Sequence, residues 1–134
     1  MKIFLLMLVS VQYDPLISAA AAKYDVPFTL IKAVIEKESS FRKGVCSKKG
    51  ACGLMQLMPS KAKEYGVKNR FNAAQNIDGG THLLHDLFEQ FGDLDLVLAA
   101  YNAGENRVAK RGIPLCTRSF ITQVKALEAG YARL

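Results

Sequence analysis

The 134 residues are enough for a single domain, and a half-hydrophobic composition with 22% charged residues excludes an intrinsically disordered chain. The net charge of +6 suits an anionic partner, such as a nucleic acid, a phospholipid surface or an acidic polymer. The cations are scattered, with no long basic run and no interleaved aromatic residues, so the pattern disfavours a nucleic-acid partner.

The N-terminus has the pattern of a secretory signal peptide. Lys2 is followed by roughly nine apolar residues, a run too short to span a bilayer. The alternative is an apolar N-terminal segment that stays in the protein. We therefore separate residues 1–12 from one domain over residues 13–134, and expect an exported chain that acts in the periplasm or cell envelope.

The rest of the chain predicts helices and almost no strands. Asp14 is an N-cap candidate before a proline, which opens a helix through Tyr24, and Pro27 begins a second helix to about Ser39. Further helical pieces are predicted at Leu54–Leu57, Ser60–Tyr65, Asn76–Phe91, Leu96–Tyr101, Asn106–Arg111 and Thr117–Tyr131, with a loop over residues 42–53. The expected fold class is all-α, a compact single domain of seven or eight helices.

Two glycines stand inside the long predicted helix. Gly79 and Gly80 cost helix propensity, so we expect the helix to pack closely against a neighbour at this point.

Glu38 stands where an apolar residue is expected. Ile31, Val34 and Ile35 recur at helical spacing, and the next position on that face is Glu38. Burial and the C-terminal end of a helix both disfavour its charged form, which would raise its pKa. A carboxyl group that is protonated near neutral pH suits a general acid. The alternative is a Glu that reaches solvent or pairs with Lys or Arg.

No second carboxylate lies close to Glu38 in the sequence. Most glycosidases use two carboxyl groups, yet residues 39–63 contain no Asp or Glu. If the reaction is sugar cleavage, the pattern indicates chemistry with one carboxylate.

Two later segments carry polar groups in apolar surroundings. Gln56 is the one side chain in Gly53–Pro59 suited to directed hydrogen bonds. Tyr101 and Asn102 end a predicted buried helix, where the tyrosine hydroxyl could bond to a carboxyl group. For both segments the alternative is ordinary core packing.

The three cysteines leave their pairing open. In an exported chain, Cys46–Cys52 or Cys52–Cys116 could form, and otherwise all three are small buried residues. Neither these cysteines nor His82 and His85 offer a metal-binding set, so no metal or cofactor is expected.

Four segments together resemble the soluble lytic transglycosylase catalytic domain, which is related to goose-type lysozyme. In chain order they are Glu38-Ser39, Ser47–Pro59, Asn76–Gly80 and Ala99–Gly104, and the resemblance runs from about Tyr13 to Leu127. It implies a lysozyme-like helical fold with a substrate cleft. It also implies peptidoglycan as the substrate, cut at the β-1,4 bond between N-acetylmuramic acid and N-acetylglucosamine with formation of 1,6-anhydro-muramic acid.

The resemblance also implies roles for individual residues. Glu38 matches the catalytic Glu, first as acid on the leaving oxygen and then as base toward the C6 hydroxyl of muramic acid. The substrate's N-acetyl group would stabilise the developing positive charge, so that no carboxylate nucleophile is needed. The supporting or substrate-binding residues that it implies are Ser47, Met55, Gln56, Tyr101 and Asn102.

The chain departs from the family pattern in two places near these residues. After Gly104 the family often continues Pro-Gly-Asn-Val, and here Glu105–Val108 gives a differently charged turn. Cys46 and Cys52 bracket the loop that carries Ser47, where a disulfide would stiffen the cleft.

Two other functions remain as alternatives. A lysozyme would hydrolyse the same bond with water and would need a second acidic group near the site. A non-catalytic wall-binding component of a secretion or phage apparatus would be favoured if Glu38 were replaced. We expect glycan strands of peptidoglycan as the partner and a monomer as the oligomeric state.

Overall fold

The computed structural model describes all 134 residues except the side chain of Leu6. Over the described residues the chain forms eight α-helices: α1 Lys2–Val11, α2 Asp14–Tyr24, α3 Phe28–Ser39, α4 Pro59–Glu64, α5 Ala73–Phe91, α6 Leu94–Ala103, α7 Glu105–Arg111 and α8 Arg118–Ala132. A 3₁₀ turn at Leu115–Thr117 leads into α8. The all-α prediction is confirmed.

Helix α3 is the centre of the fold. It packs mainly against α8 and also against α2, while α5 packs against α2 and α6. Ile31, Val34 and Ile35 are fully buried, as the apolar spacing predicts. Even Lys32 is buried, and its ammonium group pairs with the carboxylate of Asp14 at 2.8 Å. This pairing replaces the N-cap hydrogen bond that we predicted for Asp14, because α2 already begins at that residue.

The glycine pair in α5 makes the close helix contact that the sequence predicts. A Cβ atom on Gly80 would lie only 2.9 Å from Cβ of Met55, and one on Gly79 would collide with the side chain of Val67. Helix α5 therefore lies directly against the segment that contains Met55.

The prediction of a short helical piece at Leu54–Leu57 is wrong. This stretch is a tight turn in which Cys52 and Leu57 exchange two backbone hydrogen bonds of 3.0 Å. Gly53 has φ 86° and Gln56 has φ 53°, a left-handed conformation that a right-handed helix excludes. The turn ends just before Pro59, the first residue of α4.

Helix α1 projects its apolar side chains into solvent. Ile3, Phe4 and Leu5 are all more than 60% exposed, whereas Val9 packs against the core. Among the described residues, no single helix has the length and apolar character to cross a membrane. Helices α1 and α2 meet the length and composition criteria only together, and they are bent by 46°.

Candidate active site

Glu38 occupies the last turn of α3. The next residue after this helix, Ser40, caps it in a left-handed backbone conformation. Its side chain is partly buried. Burial raises the pKa of Glu38 from its usual 4.5 to about 7, against a smaller opposing effect of the Lys37 charge. The raised pKa favours the protonated carboxyl group near neutral pH, as a general acid requires.

Glu38 faces an open cavity of about 500 Å³. Four other predicted site residues line the same cavity: Ser47, Gln56, Tyr101 and Asn102. The structure thus brings together side chains from α3, from the loop before α4 and from the end of α6. Among the described residues that line this cavity, Glu38 is the only carboxylate.

Tyr101 is held by the backbone of the turn before α4. Its hydroxyl donates a hydrogen bond of 2.6 Å to the carbonyl oxygen of Met55. Burial, and secondarily the nearby Glu38 charge, raise the pKa of Tyr101 well above its usual value. Because the tyrosine proton is already used, a hydrogen bond between the two side chains requires a protonated Glu38 that donates to the tyrosine oxygen. This arrangement differs from the sequence-based picture, in which the hydroxyl bonds to the carboxyl group.

Met55 does not contact the cavity with its side chain. The residue is fully buried, and its side chain lies against Gly80 of α5. Its backbone N–H donates to Oδ1 of Asn76 at 2.7 Å, and its carbonyl accepts from Tyr101. The buried position of Met55 favours the supporting one of the two roles that the resemblance allows, supporting or substrate-binding.

Gln56 and Ser47 both take part in the local loop structure. Nε2 of Gln56 donates to the carbonyl oxygens of Val45 and Gly53, each at 3.0 Å. Oγ of Ser47 accepts from the N–H of Ala51 at 3.1 Å. The amide oxygen of Gln56 and the hydroxyl proton of Ser47 have no partner among the described residues, so they remain available to a ligand.

A disulfide between Cys46 and Cys52 ties together the loop that carries Ser47. The structure thereby selects one of the two pairings that the sequence leaves open. Cys116 is a free, exposed thiol that lines the same cavity.

Asn76 is a positioning residue whose role the sequence analysis missed. It is fully buried in α5, and its Nδ2 donates to the carbonyl oxygens of Cys52 (3.1 Å) and Arg70 (2.9 Å). With the bond that it accepts from Met55, it holds both sides of the turn before α4. A polar residue in the apolar face of α5 was the available signal.

Comparison with known families decides the assignment. A family model described as "Transglycosylase SLT domain" matches residues 15–113, which include every candidate site residue. The chain belongs to this family.

Similar proteins carry related names. A "Transglycosylase" of Enterobacteria phage PRD1 is 41% identical over 98 residues, which cover 73% of this chain and 37% of the phage protein. A "Membrane-bound lytic murein transglycosylase F" of Desulfosudis oleivorans is 38% identical over 104 residues, covering 72% of this chain and 23% of that protein. The matched part of the SLT chain thus spans between 23% and 37% of the length of these curated relatives.

Solved structures share the fold. The 70 kDa soluble lytic transglycosylase of Escherichia coli superimposes with a TM-score of 0.79 at 28% identity, over 89% of this chain and 24% of that one. A complex of a 70-kDa soluble lytic transglycosylase with bulgecin A gives a TM-score of 0.81 at 27% identity, over 90% and 24% of the two chains. The lysozyme-like fold expected for an SLT domain is therefore confirmed.

Proposed function

We propose that this chain is a peptidoglycan lytic transglycosylase that cuts the β-1,4 bond between N-acetylmuramic acid and N-acetylglucosamine. The observation that carries the proposal is Glu38, a partly buried carboxyl group with a pKa of about 7 facing an open cavity. Such a group can donate a proton at neutral pH and accept it back within the same cycle. Membership of the SLT family supports the same reaction.

The reaction needs one carboxyl group in two roles. Protonated Glu38 donates its proton to the glycosidic oxygen as the bond to C1 of muramic acid breaks, which releases the N-acetylglucosamine hydroxyl. The substrate's own N-acetyl oxygen stabilises the positive charge at C1, so a carboxylate nucleophile is not required. Glu38, now ionised, takes the proton of the C6 hydroxyl while O6 bonds to C1, which gives the 1,6-anhydro product and restores the acid.

The other site residues bind substrate or position the acid. We assign the free amide oxygen of Gln56, the hydroxyl of Ser47 and the side chain of Asn102 to hydrogen bonds with the sugars, since all three line the cavity. Tyr101 and Met55 act indirectly, because the bond between them joins the end of α6 to the turn before α4.

We further propose that the protein acts in the cell envelope after export. Residues 1–12 would serve as the signal peptide, since the apolar side chains of α1 are mostly exposed on the domain. The Cys46–Cys52 disulfide supports an oxidising compartment such as the periplasm. Peptidoglycan, the proposed substrate, lies in that same compartment.

Mass spectrometry of the products released from purified peptidoglycan tests the reaction. We expect fragments that end in anhydro-muramic acid, one water lighter than hydrolysis products, and none from Glu38→Gln. Reducing-end fragments would establish a lysozyme instead. If the wild type binds peptidoglycan but releases no fragments, the protein is a wall-binding component.

A further inference from the structure

Two cations line the cavity that Glu38 faces. Lys49 belongs to the disulfide-bracketed loop before α4, and Arg107 belongs to α7. They therefore approach the cavity from two different elements. Arg107 lies in the first turn of α7, within the Glu105–Val108 segment whose sequence departs from the family pattern.

Both cations are free to bind a ligand. Each is exposed, and among the described residues neither forms a salt bridge or a side-chain hydrogen bond. Glu105, the acidic residue nearest to Arg107 in sequence, is already paired with Lys61. The two cations also do not neutralise Glu38, because among the described charges it is that of Lys37 which lowers the pKa of Glu38.

The sugar backbone of peptidoglycan gives these cations no counterion. N-acetylglucosamine and the sugar ring of muramic acid are uncharged, and the lactyl group is amide-linked wherever a peptide is attached. The negative charge of a strand lies in the carboxylates of its stem peptides, which branch from muramic acid beside the bond that is cut. Two unpaired cations near the acid match that charge in sign and location.

We propose that Lys49 and Arg107 form an anion-binding pair that recognises the carboxylates of the stem peptide, so that the site prefers stem peptides with free carboxylates over stem peptides whose carboxylates are amidated. The inference rests on the proposed function and names a preference within its substrate class. Because the carboxylates are on a flexible branch, the pair contributes chiefly to substrate binding, and its effect appears in KM more than in kcat.

The test compares two soluble stem-bearing glycan substrates, one with free stem-peptide carboxylates and one in which carbodiimide coupling to methylamine has converted these carboxylates to amides. We expect the wild type to prefer the strands with free carboxylates at least tenfold in kcat/KM. The Lys49→Gln/Arg107→Gln variant should reduce this preference at least fivefold. Added salt should reduce the wild-type preference in the same way, because the contacts are ionic.

The matched control is Lys48→Gln/Lys110→Gln, which removes two exposed cations from the same loop and the same helix but away from the cavity. It should retain the wild-type preference. The proposal is overturned if the wild type has no preference, if the Lys49→Gln/Arg107→Gln variant keeps it, or if the control loses it equally.

A binding measurement separates this proposal from the catalytic one. In the Glu38→Gln background, affinity for the two strand types is measured with and without Lys49→Gln and Arg107→Gln. A carboxylate-dependent affinity that falls at least fivefold in the variant supports the anion-binding pair even if the wild type cleaves nothing. Equal affinities for both strand types refute it even if the wild type is an active transglycosylase.

Discussion

At the scale of single residues, the protonation of Glu38 links activity to stability. Its pKa is about 7 in the folded protein against an ordinary 4.5, so between these values the folded state binds more protons than the unfolded state. Proton binding by Glu38 therefore favours the folded state. This contribution to the free energy of unfolding is fully present below pH 4.5 and is lost as the pH rises through 7. The difference between the two pKa values corresponds to about 3 kcal/mol of unfolding free energy.

We therefore predict that Glu38→Gln, which cannot ionise, is more stable than the wild type at pH 8, by up to about 3 kcal/mol. At pH 4 the two proteins should differ much less, because the wild-type carboxyl group is then protonated. Urea unfolding at both pH values measures the difference. Glu36→Gln is the control on the same helix, since Glu36 accepts a hydrogen bond from Tyr131 and does not line the cavity. If the difference in unfolding free energy between the wild type and Glu38→Gln is the same at pH 4 and at pH 8, the burial of this acid is refuted.

The Tyr101 hydroxyl gives a second prediction. Tyr101→Phe leaves the buried carbonyl of Met55 without its 2.6 Å donor, at a cost of about 1–3 kcal/mol in unfolding free energy. It also removes the bond that joins the end of α6 to the turn before α4, so kcat should fall partially while KM changes little. Thermal unfolding and steady-state cleavage kinetics measure the two effects.

Tyr131→Phe is the matched control, because the Tyr131 hydroxyl bonds to Glu36 on the far side of α3 from the cavity lining. This variant should lose some stability and keep its kcat. Full activity in Tyr101→Phe would leave its hydroxyl with a structural role only.

At the scale of helices and turns, the sequence correctly predicts those helix ends that depend on residues at the end itself. The break at Asp25–Pro27 and the glycine at position 92 bound helices within a few residues of the predicted ends, because these residues act through their own backbone conformation. The apolar spacing of α3 likewise placed Glu38 at the edge of the core.

The turn before α4 could not be predicted in the same way. It is held by contacts over long sequence distances, chiefly from Asn76 and Arg70 to its backbone. These contacts overrule the helix propensity of Leu54–Leu57 and keep Gln56 in a left-handed conformation. The same long-range packing buries Met55, for which the resemblance allowed either a supporting or a substrate-binding role.

This packing predicts unequal effects of two glycine substitutions. Gly80→Ala places a Cβ 2.9 Å from Cβ of Met55, so either α5 or the turn must move, and we expect a loss of about 1–3 kcal/mol. Gly130→Ala in α8 meets no atom within 4 Å and should gain roughly 0.5–1 kcal/mol from helix propensity. Chemical denaturation of both variants checks the difference, and cleavage assays should show a loss in Gly80→Ala alone. Equal stabilities would show that the α5 contact tolerates a methyl group.

At the scale of the whole molecule, charge and fold support the same function. The helices bury a single apolar core and leave one cavity in which an acid, neutral polar groups and two cations meet. On the proposed function, the net charge of +6 would attract the protein to an anionic polymer, whereas the cavity contacts would select a bond within it. Long-range attraction and local recognition therefore act on the same substrate, at different distances.

The domain boundary gives the last prediction. The buried core begins at Tyr13, while α1 contributes mainly a partly buried Val9, worth about 1 kcal/mol or less. A protein of residues 13–134 should therefore fold with a melting temperature within a few degrees of the full chain and cleave peptidoglycan at the same rate. Calorimetry and the anhydro-product assay check both. A further cut to residues 25–134 is the control, since it deletes α2 with its fully buried Ile17 and should abolish folding. If the 13–134 protein also fails to fold, α1 is part of the catalytic domain and its proposed role as a removable signal peptide is wrong.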